Sequence, residues 1–521
     1  MSTTPPEIVN FKLDGKDVTA TKGQNLIEAA KACGTDIPHY CYHKDLSIAG
    51  NCRMCQVSVK GQPKLTIACN TTVTEGMEVS THESSKEVAD AQAATLEFIL
   101  INHPLDCTVC DQAGHCKLQD YHFEYNARSS RFIEEKEHKV KALPLGPHVM
   151  LDGERCIMCS RCVRFCDEIT KTSELGLLNR GDKTVIAVHE GKELNNPLSG
   201  TVVDLCPVGA LTHRDWRFNT RVWFTDSSES ICPGCSTGCN VKVHSRDGQV
   251  VQVKARYNED VNKEWLCDEG RYGFNSFLPK ARITKNYIKG KEASVSEVTK
   301  NLSGFFNEKS VIFLAPQLLT EELFLVKKII EKSKVPPLVI FNYESRALTD
   351  VEKILVSPDR SPNFMASVVL GLETEVSVVS SYENGISKVS SDAITQAIFI
   401  GDGSFRGNDY SIFTKKAFIG TNAAIVDEMS FDVVVAGRSI LEKSGIYINR
   451  NKRVQYLNAS IESPKGTEPE WRILLGILAE LGDKTMRPVN DRDMSLEFLK
   501  GFKPEFTLPQ IKKRGLAIVA E

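Results

Sequence analysis

The N-terminal residues alternate between apolar and polar in two short runs, which is the pattern of a β-hairpin. The runs cover residues 7–12 and 16–20, and Asp14 and Gly15 between them form a turn signal. A short helix is predicted over 24–33. Two returning strands are then predicted over 56–68 and 73–80.

A longer amphipathic helix is predicted over 85–102. Its apolar positions recur at helical spacing and are Val88, Ala91, Thr95, Phe98 and Ile99. Because a proline disfavours helical backbone at the residue before it, Pro104 makes His103 the expected end of this helix.

From about residue 300 the pattern changes to alternating strands and helices. The run 311–316, a helix over 320–333 and the run 337–342 predict a βαβ unit. Further buried strands are predicted at 397–403, 417–427 and 431–437. We therefore expect α+β modules followed by an α/β domain with a parallel sheet.

The composition is that of an ordinary globular protein, except for its cysteines. A net charge of −3 gives no basic footprint for nucleic acid, and no apolar run approaches the length of a membrane span. The N-terminus lacks a basic and apolar leader, so a cytoplasmic location is expected. All 17 cysteines lie at or before Cys267. Clustered cysteines in an intracellular chain indicate metal binding more than disulfides.

The first cysteine group has the spacing C-x10-C-x2-C-x13-C. Its members are Cys41, Cys52, Cys55 and Cys69. Gly50 comes just before the CxxC pair, where a tight loop can direct backbone N–H groups at cluster sulfurs. The spacing favours a 2Fe–2S site, although its first gap is longer than that of plant-type ferredoxins. A zinc site or buried thiols are the alternatives.

The second group, within HPLDCTVCDQAGHCKLQDY, has only three cysteines. They are Cys107, Cys110 and Cys116. A 4Fe–4S cube takes four ligands, and His103, His115 and His122 are candidates for the fourth. The ring of His115 is expected to point away from its neighbour Cys116, whereas His103 stands at a helix end. We therefore favour His103, and a neutral imidazole in place of a thiolate should raise the reduction potential.

The third group begins with CIMCSRCVRFC and is completed by a Cys-Pro pair in LCPVGAL. The residue Cys206 precedes Pro207, as in the turn of ferredoxin modules. The expected 4Fe–4S ligands are therefore Cys156, Cys159, Cys162 and Cys206. Cys166 is left over and is expected to be a small buried residue.

The fourth group has the spacing C-x2-C-x3-C-x27-C. Its members are Cys232, Cys235, Cys239 and Cys267. The four groups leave only Cys33 and Cys166 unassigned. Zinc does not change oxidation state, whereas several redox centres in one chain can carry electrons in series. Four groups together therefore favour iron–sulfur clusters over zinc.

These motifs, in this order, resemble those of the large iron–sulfur subunit of NADH:quinone oxidoreductase, respiratory complex I. The resemblance covers residues 1–280. It implies one 2Fe–2S and three 4Fe–4S clusters, one of them histidine-ligated, with the fourth set off the main electron path. It also implies partners: a flavin/NADH-binding subunit, a 2Fe–2S subunit and a downstream 4Fe–4S subunit. Such a chain would lie peripherally at the cytoplasmic face of the inner membrane and would relay electrons toward quinone.

The C-terminal half resembles a molybdopterin-oxidoreductase domain. The segment 431–455 is similar to a family pattern carried here by Glu442, Gly445, Asn449, Arg453 and Gln455. Molybdenum enzymes of this type carry a lysine two residues after the last cluster cysteine, but Glu269 stands there. The part after residue 280 is also short. We expect no molybdopterin and interpret this half as a scaffold.

The resemblance and the composition changes together divide the chain. We expect a plant-type 2Fe–2S domain at 1–84, a histidine-plus-three-cysteine segment at 85–125, a linker at 126–147, a 4Fe–4S ferredoxin-like domain at 148–220, a molybdopterin-oxidoreductase-type 4Fe–4S domain at 225–282 and an α/β scaffold domain at 283–521. No G-x-G-x-x-G fingerprint follows a strand, so hydride chemistry is expected in a partner.

Two other classes of function stay open at this point. A related subunit of an NAD-linked hydrogenase or formate dehydrogenase would share the N-terminal modules, and a zinc-stapled scaffold would have no redox role. Glu269 and the lack of cysteines after Cys267 disfavour the first alternative. Basic residues beside the cysteines are candidates for raising cluster potentials or for docking, and equally for a solvated face. They are Arg53, Arg155, Arg161 and Arg164.

Overall fold

The computed structural model divides the chain into two compact units, Met1–Phe224 and Thr225–Glu521. It describes residues 7–126, 128–333, 337–372, 375–378, 394–403, 405, 409–503 and 505–518. Within these residues no helix has the length and apolar character needed to cross a bilayer.

The first unit opens with a five-stranded sheet in the order β2-β1-β5-β3-β4. Its elements are β1 (Ile8–Leu13), β2 (Lys16–Thr21), α1 (Leu26–Ala32), β3 (Gln56–Val59), β4 (Thr66–Ile67) and β5 (Glu78–Ser80). The predicted hairpin is present, with Asp14 and Gly15 both at positive φ in its turn. The run 56–68, however, is two antiparallel strands, because the chain turns at Gly61 with φ +86°.

Helix α2 (Lys86–Leu100) begins at a serine cap, where Val88 N donates to Ser85 Oγ at 3.4 Å. It ends three residues before His103. Of the five positions in the predicted pattern, Val88 is buried, three are half-buried and Phe98 is 76% exposed. The buried face consists of Val88, Gln92, Ala93 and Leu96. The amide of Gln92 donates to the carbonyl of Gln56 in β3 at 3.0 Å, so this polar residue belongs to the buried face.

The rest of the first unit consists of short elements joined by loops. They are α3 (Lys117–Tyr125), β6 (Leu143–Pro144), β7 (Val149–Leu151), α4 (Arg161–Arg164), β8 (Leu175–Leu178), β9 (Val185–Val188), α5 (Thr201–Leu205) and β10 (Leu211–His213). Strands β10, β7 and β6 form one sheet and β8 and β9 another. The described residues 128–142 contain no helix or strand.

The second unit opens with an antiparallel sheet and a short helix. These are β11 (Asp226–Ile231), β12 (Asn240–Arg246), β13 (Gln249–Ala255) and α6 (Asp268–Tyr272). The larger sheet that follows contains β14 (Asn286–Ile288), β15 (Lys291–Ala293), β16 (Ser310–Leu314), β17 (Leu338–Tyr343), β18 (Glu375–Val378), β19 (Gln396–Ile400), β20 (Lys415–Gly420) and β21 (Val433–Ala436).

The larger sheet has eight strands in the order β15-β14-β21-β20-β19-β16-β17-β18. The strands from β21 to β18 run parallel, as the sequence predicted, and β14 and β15 form an antiparallel edge. Ile312 and Leu314 pack in one buried cluster and Val311 and Phe313 in another. Both faces of the sheet are therefore covered, as expected for an α/β domain.

Helices and a smaller sheet complete this unit. They are α7 (Val295–Ser303), α8 (Thr320–Lys332), α9 (Phe364–Val369), α10 (Ala423–Met429), β22 (Gly445–Ile448), β23 (Arg453–Leu457), α11 (Glu470–Glu480), α12 (Asp491–Phe502), α13 (Leu508–Arg514) and β24 (Leu516–Ala517). The strand predicted over 417–427 is wrong after Gly420. Asn422 caps a helix there, because its side chain accepts a hydrogen bond from Ala424 N at 3.0 Å.

A buried charge cluster joins three parts of the second unit. Lys443 Nζ lies 2.7 Å from Glu322 Oε1 and 2.7 Å from Glu470 Oε2. The three side chains are at most 3% exposed. Glu322 belongs to α8, Glu470 to α11, and Lys443 precedes β22. One ammonium therefore compensates two buried carboxylates and fixes where these elements meet.

Replacing Lys443 by methionine should destabilise the second unit by about 3–5 kcal/mol, because two buried carboxylates lose their partner. Thermal unfolding followed by circular dichroism measures the effect. Lys353→Met is the matched control, since Lys353 pairs with Asp350 on the surface and such pairs contribute about 0–1 kcal/mol. An equal loss of stability in both variants would contradict the assigned role of the buried cluster.

Candidate metal centres

The thiols of the first group fall into two pairs. Cys41 is hydrogen-bonded to Cys52, and Cys55 to Cys69. These hydrogen bonds lower the pKa of Cys41 and raise the pKa of Cys52. Two pairs of thiols match a 2Fe–2S cluster, in which each iron takes two protein ligands.

The loop between α1 and β3 presents Cys41, Cys52 and Cys55, and a short turn after β4 presents Cys69. Gly50 has φ +62°, and a Cβ there would lie 3.3 Å from Ile67 Cδ1. The glycine therefore allows a tight turn just before Cys52. Cys41 N approaches Cys52 Sγ at 3.5 Å, so backbone N–H groups do point toward this group of sulfurs.

The second group lines a cavity of about 930 Å³. His103, Cys107, Cys110 and Cys116 all contribute to the lining. Burial, assisted by the positive charge of Arg155, lowers the pKa of His103 to about 4. The imidazole is therefore neutral at physiological pH, which is the form that binds metals. Its Nδ1 is buried and has no hydrogen-bond partner among the described residues.

The other two candidate histidines differ in position. His122 also lines the cavity, and its Nδ1 is likewise buried without a partner in the described part of the chain. His115 is not among the described residues that line the cavity. Burial alone thus leaves His103 and His122 as competitors for the fourth position.

The third group lines a small cavity of its own, formed by Cys156, Cys159, Cys162 and Cys206. Met158 and Ser160 alternate with the first three cysteines and both have positive φ, which curves the loop. Burial raises the pKa of Cys156 to about 11 and that of Cys206 to about 12. A metal core would have to displace these protons, so cluster binding is coupled to deprotonation.

Cys166 lies apart from this group. It is fully buried, in a wide helical turn that follows α4, and it does not line the cavity as described. The expectation of a small buried residue is confirmed. The other unassigned thiol, Cys33, is exposed at the end of α1.

The fourth group also encloses a small cavity, lined by Cys232, Cys235, Cys239 and Cys267. A Cβ at Gly270 would lie 3.1 Å from Cys232 Sγ and 3.2 Å from Cys267 Sγ. The backbone N–H of Gly270 donates to Cys267 Sγ at 3.3 Å. A glycine is therefore needed where α6 closes over the sulfurs.

The segment that resembles molybdopterin oxidoreductases holds the loop of the fourth group in place. The Asn449 side chain donates to the carbonyl of Thr237 at 3.1 Å, and Gln455 donates to that of Gly238 at 2.9 Å. Sequence reasoning recognised Asn449 and Gln455 only through the family pattern. Their function as supports for the cysteine loop depends on contacts across more than 200 residues.

Arginines connect the first group to the third. Arg164 Nη2 donates to the carbonyls of Cys41 at 2.6 Å and Cys159 at 3.3 Å. Arg161 donates to the carbonyls of Tyr42 and Leu205. Arg161 is buried, so its side chain does not belong to a solvated face.

The third group is connected in the same way to the second. Arg155, which precedes Cys156, donates from Nη2 to Asp106 Oδ2 at 2.8 Å, and Asp106 precedes Cys107. Gly209, just after Cys206, approaches so closely that a Cβ there would overlap Cys110 Sγ. The third group is therefore the neighbour of both others. Within the described residues, no three His, Cys, Asp or Glu side chains are close enough to hold a single metal ion.

Four protein families match successive parts of the chain. They are a 2Fe-2S iron-sulfur cluster binding domain (7–84), the NADH-ubiquinone oxidoreductase-G iron-sulfur binding region (92–131), the ferredoxin-like domain of NADH-quinone oxidoreductase subunit 3 (146–212) and a molybdopterin oxidoreductase Fe4S4 domain (225–277). The chain is thus an iron–sulfur protein with ferredoxin-like domains and a molybdopterin-oxidoreductase Fe4S4 domain.

Curated relatives specify this class further. An NADH-quinone oxidoreductase subunit of Rickettsia conorii is 35% identical over 62% of this chain and 49% of its own length. The NADH-ubiquinone oxidoreductase 75 kDa subunit of Reclinomonas americana is 38% identical over 62% and 48%. The mitochondrial NADH dehydrogenase [ubiquinone] iron-sulfur protein 1 of Solanum tuberosum is 39% identical over 57% and 39%.

Over the matched part, the chain is therefore similar to subunits of NADH-quinone and NADH-ubiquinone oxidoreductases, and the resemblance of its motifs is confirmed. It spans about half the length of the first two of these relatives. One solved chain, from a structure of an NAD+-reducing [NiFe]-hydrogenase in the H2-reduced state, is 26% identical over 41% of this chain and 91% of its own, with a TM-score of 0.37.

Changing Cys206 to alanine should remove about four iron atoms per chain, because one ligand of the third set is lost. Cys166→Ala should leave the iron content unchanged, since Cys166 lies outside the cavity. Iron and sulfide analysis of anaerobically purified protein distinguishes the two. Iron loss in the Cys166 variant with retention in the Cys206 variant would exchange their assignments.

Proposed function

We propose that this chain is the iron–sulfur electron-transfer subunit of an NADH:quinone oxidoreductase, complex I. The observation that carries the proposal is the contact between neighbouring ligand groups through Arg164, Arg155 and Gly209. A protein that only needed metal for stability would not require its centres to be neighbours. Centres in contact suit the transfer of electrons in series.

The proposed ligands form four sets, each with its own cluster. They are Cys41, Cys52, Cys55 and Cys69 for a 2Fe–2S cluster, and His103, Cys107, Cys110 and Cys116, then Cys156, Cys159, Cys162 and Cys206, then Cys232, Cys235, Cys239 and Cys267 for three 4Fe–4S clusters. Bound clusters of these kinds supply one-electron redox chemistry. The protein encloses them, removes water and directs N–H groups and cations at their sulfurs.

The contacts within the first unit support an order for the electron path. The set that contains Cys41 adjoins the set that contains Cys159, and that set adjoins the one around Cys110. The path therefore runs from the 2Fe–2S set through the third set to the histidine-containing set. The fourth set belongs to the other unit and has no place in this order.

The proposed domains follow the sequence expectation. The 2Fe–2S domain covers 1–84, the histidine-containing segment 85–125, the linker 126–147, the ferredoxin-like domain 148–220 and the Fe4S4 domain 225–282, supported by the family matches. The remainder, 283–521, is a scaffold without pterin. The use of Asn449 and Gln455 as loop supports agrees with that role.

The proposed partners are the other subunits of the peripheral arm. A flavin/NADH-binding subunit and a 2Fe–2S subunit would lie before this chain in the path, and a downstream 4Fe–4S subunit after it. Through them the chain would be peripheral to the cytoplasmic face of the inner membrane. The names of the curated relatives favour this assembly over a hydrogenase or formate dehydrogenase.

Electron paramagnetic resonance of the anaerobically purified, dithionite-reduced chain tests the proposal. We expect one 2Fe–2S signal and 4Fe–4S signals, with one 4Fe–4S signal lost in His103→Ala because the cube loses a ligand. In His103→Cys the cluster should persist at a lower potential, since a thiolate adds a negative charge.

His122→Ala is the matched control, because His122 lines the same cavity. It should retain both the signal and the iron. Loss of the signal in His122→Ala alone would assign the fourth ligand to His122 instead. Zinc in place of iron in the unmodified protein would exclude the electron-transfer function and favour the scaffold alternative.

A further inference from the structure

The cavity of the fourth ligand set is lined in part by a positively charged side chain from a segment distant in the sequence. Within the described residues, Arg360 is the charged side chain that lines it, together with four cysteines, two glycines and two aliphatic residues. Its Nη2 lies 4.0 Å from the position that a Cβ on Gly234 would occupy, between Cys232 and Cys235. The guanidinium therefore stands beside the loop that carries these thiols.

A carboxylate at the rim of the cavity holds this arginine. Glu269 Oε1 accepts a hydrogen bond from Arg360 Nη2, and Glu269 Oε2 lies 3.2 Å from Arg346 Nη2. Arg346 is bound in turn to Glu352 at 2.6 Å. Glu269 follows Cys267 by two residues, so it places a negative charge close to the sulfurs and next to the cation.

The two charges differ in burial. The side chain of Arg360 is only 13% exposed, whereas that of Glu269 is 53% exposed. Water and salt screen an exposed charge more strongly than a buried one. Arg450 N donates to the carbonyl of Ser236 in the same cysteine loop, but Arg450 itself is exposed. Of these three charges, Arg360 is therefore the one that water and salt screen least.

This field would act on a bound cluster, because reduction adds one electron and hence one negative charge. A nearby cation stabilises the reduced form and raises the reduction potential, and a nearby carboxylate has the opposite effect.

We propose that Arg360 raises the reduction potential of the cluster held by Cys232, Cys235, Cys239 and Cys267, and that Glu269 limits this effect. The inference rests on the proposed function, since it requires a cluster at this set. Arg360 acts through its charge as a positioning and tuning residue and is not a ligand.

A purely structural role is the competing explanation. Arg360 and Glu269 could simply fasten the segment around residue 360 to α6. In that case Arg360→Gln and Glu269→Gln would both lower the unfolding midpoint and leave the potential unchanged. An electrostatic role predicts shifts of opposite sign, which a structural contact does not produce.

The test is a redox titration of the anaerobically purified full chain, followed by electron paramagnetic resonance. The signal of the fourth set is identified as the one that Cys267→Ala removes. At the potential that half-reduces the unmodified protein, Arg360→Gln should lower the reduced-to-oxidised ratio roughly threefold to tenfold, where tenfold corresponds to about 59 mV. Glu269→Gln should raise the ratio, and Arg360→Lys should leave it nearly unchanged.

Lys353→Gln is the control, because Lys353 is a surface cation paired with Asp350 outside the cavity. It should not shift the ratio. If Arg360→Gln fails to fold, Glu269→Gln and Arg360→Lys still decide the question. A signal that depends on Cys267 but does not shift, or shifts equally in both neutral variants, would overturn this inference alone. If no signal depends on Cys267, the fourth cluster and the inference both fail.

Discussion

Buried thiols gathered in shared cavities are the constraint on which this structure depends. Four thiolates in one small cavity would repel each other, and burial already raises the pKa of Cys156, Cys206 and Cys267. A cationic metal core would make four charged ligands compatible with burial. Folding of these modules and loading of the proposed clusters would therefore be linked, since each would supply part of the free energy that the other needs.

The short elements of the first unit follow from this constraint. Strands and helices of a few residues bury little apolar surface, so the loops between them must be fixed by other means. Arg155, Arg161 and Arg164 do this by donating to a carboxylate and to backbone carbonyls of neighbouring modules. The contacts that fix the loops are thus the same contacts that bring the ligand sets together.

In the second unit the cysteine loop is fixed in a different way. A sheet buried on both faces provides a large core, and Lys443 fixes the meeting point of α8 and α11. The cysteine loop of the fourth set is then attached to this rigid body through Asn449 and Gln455. In this unit the segment that resembles molybdopterin oxidoreductases supports a cysteine loop, a task that requires no bound pterin.

Local patterns in the sequence were enough to predict what depends on local contacts. The hairpin at Asp14 and the βαβ unit around α8 rest on short spacings. The predicted pattern of α2 included the exposed Phe98 and missed Gln92, because Gln92 is buried by a bond to Gln56 that no periodicity encodes. The helix after Gly420 was missed because an apolar run does not reveal that Asn422 caps it.

The sequence does not predict which ligand groups are neighbours in the folded chain. Arg164, which donates to the carbonyl of Cys41, lies in α4 more than 100 residues later. The arginine that pairs with Glu269 is 91 residues away. Such pairs depend on how folded modules pack against each other. No residue spacing in the sequence indicates them. For the same reason the sequence does not decide between His103 and His122, because both side chains line one cavity.

The close approach of Gly209 to Cys110 has a consequence for the order in which the molecule is made. During synthesis, a chain that has reached the end of α3 at Tyr125 already carries His103 and its three cysteines. One wall of their site, however, belongs to a segment about 85 residues further on, because Gly209 closes against Cys110 Sγ. The second site therefore lacks this wall until the segment that carries Gly209 has been made and folded.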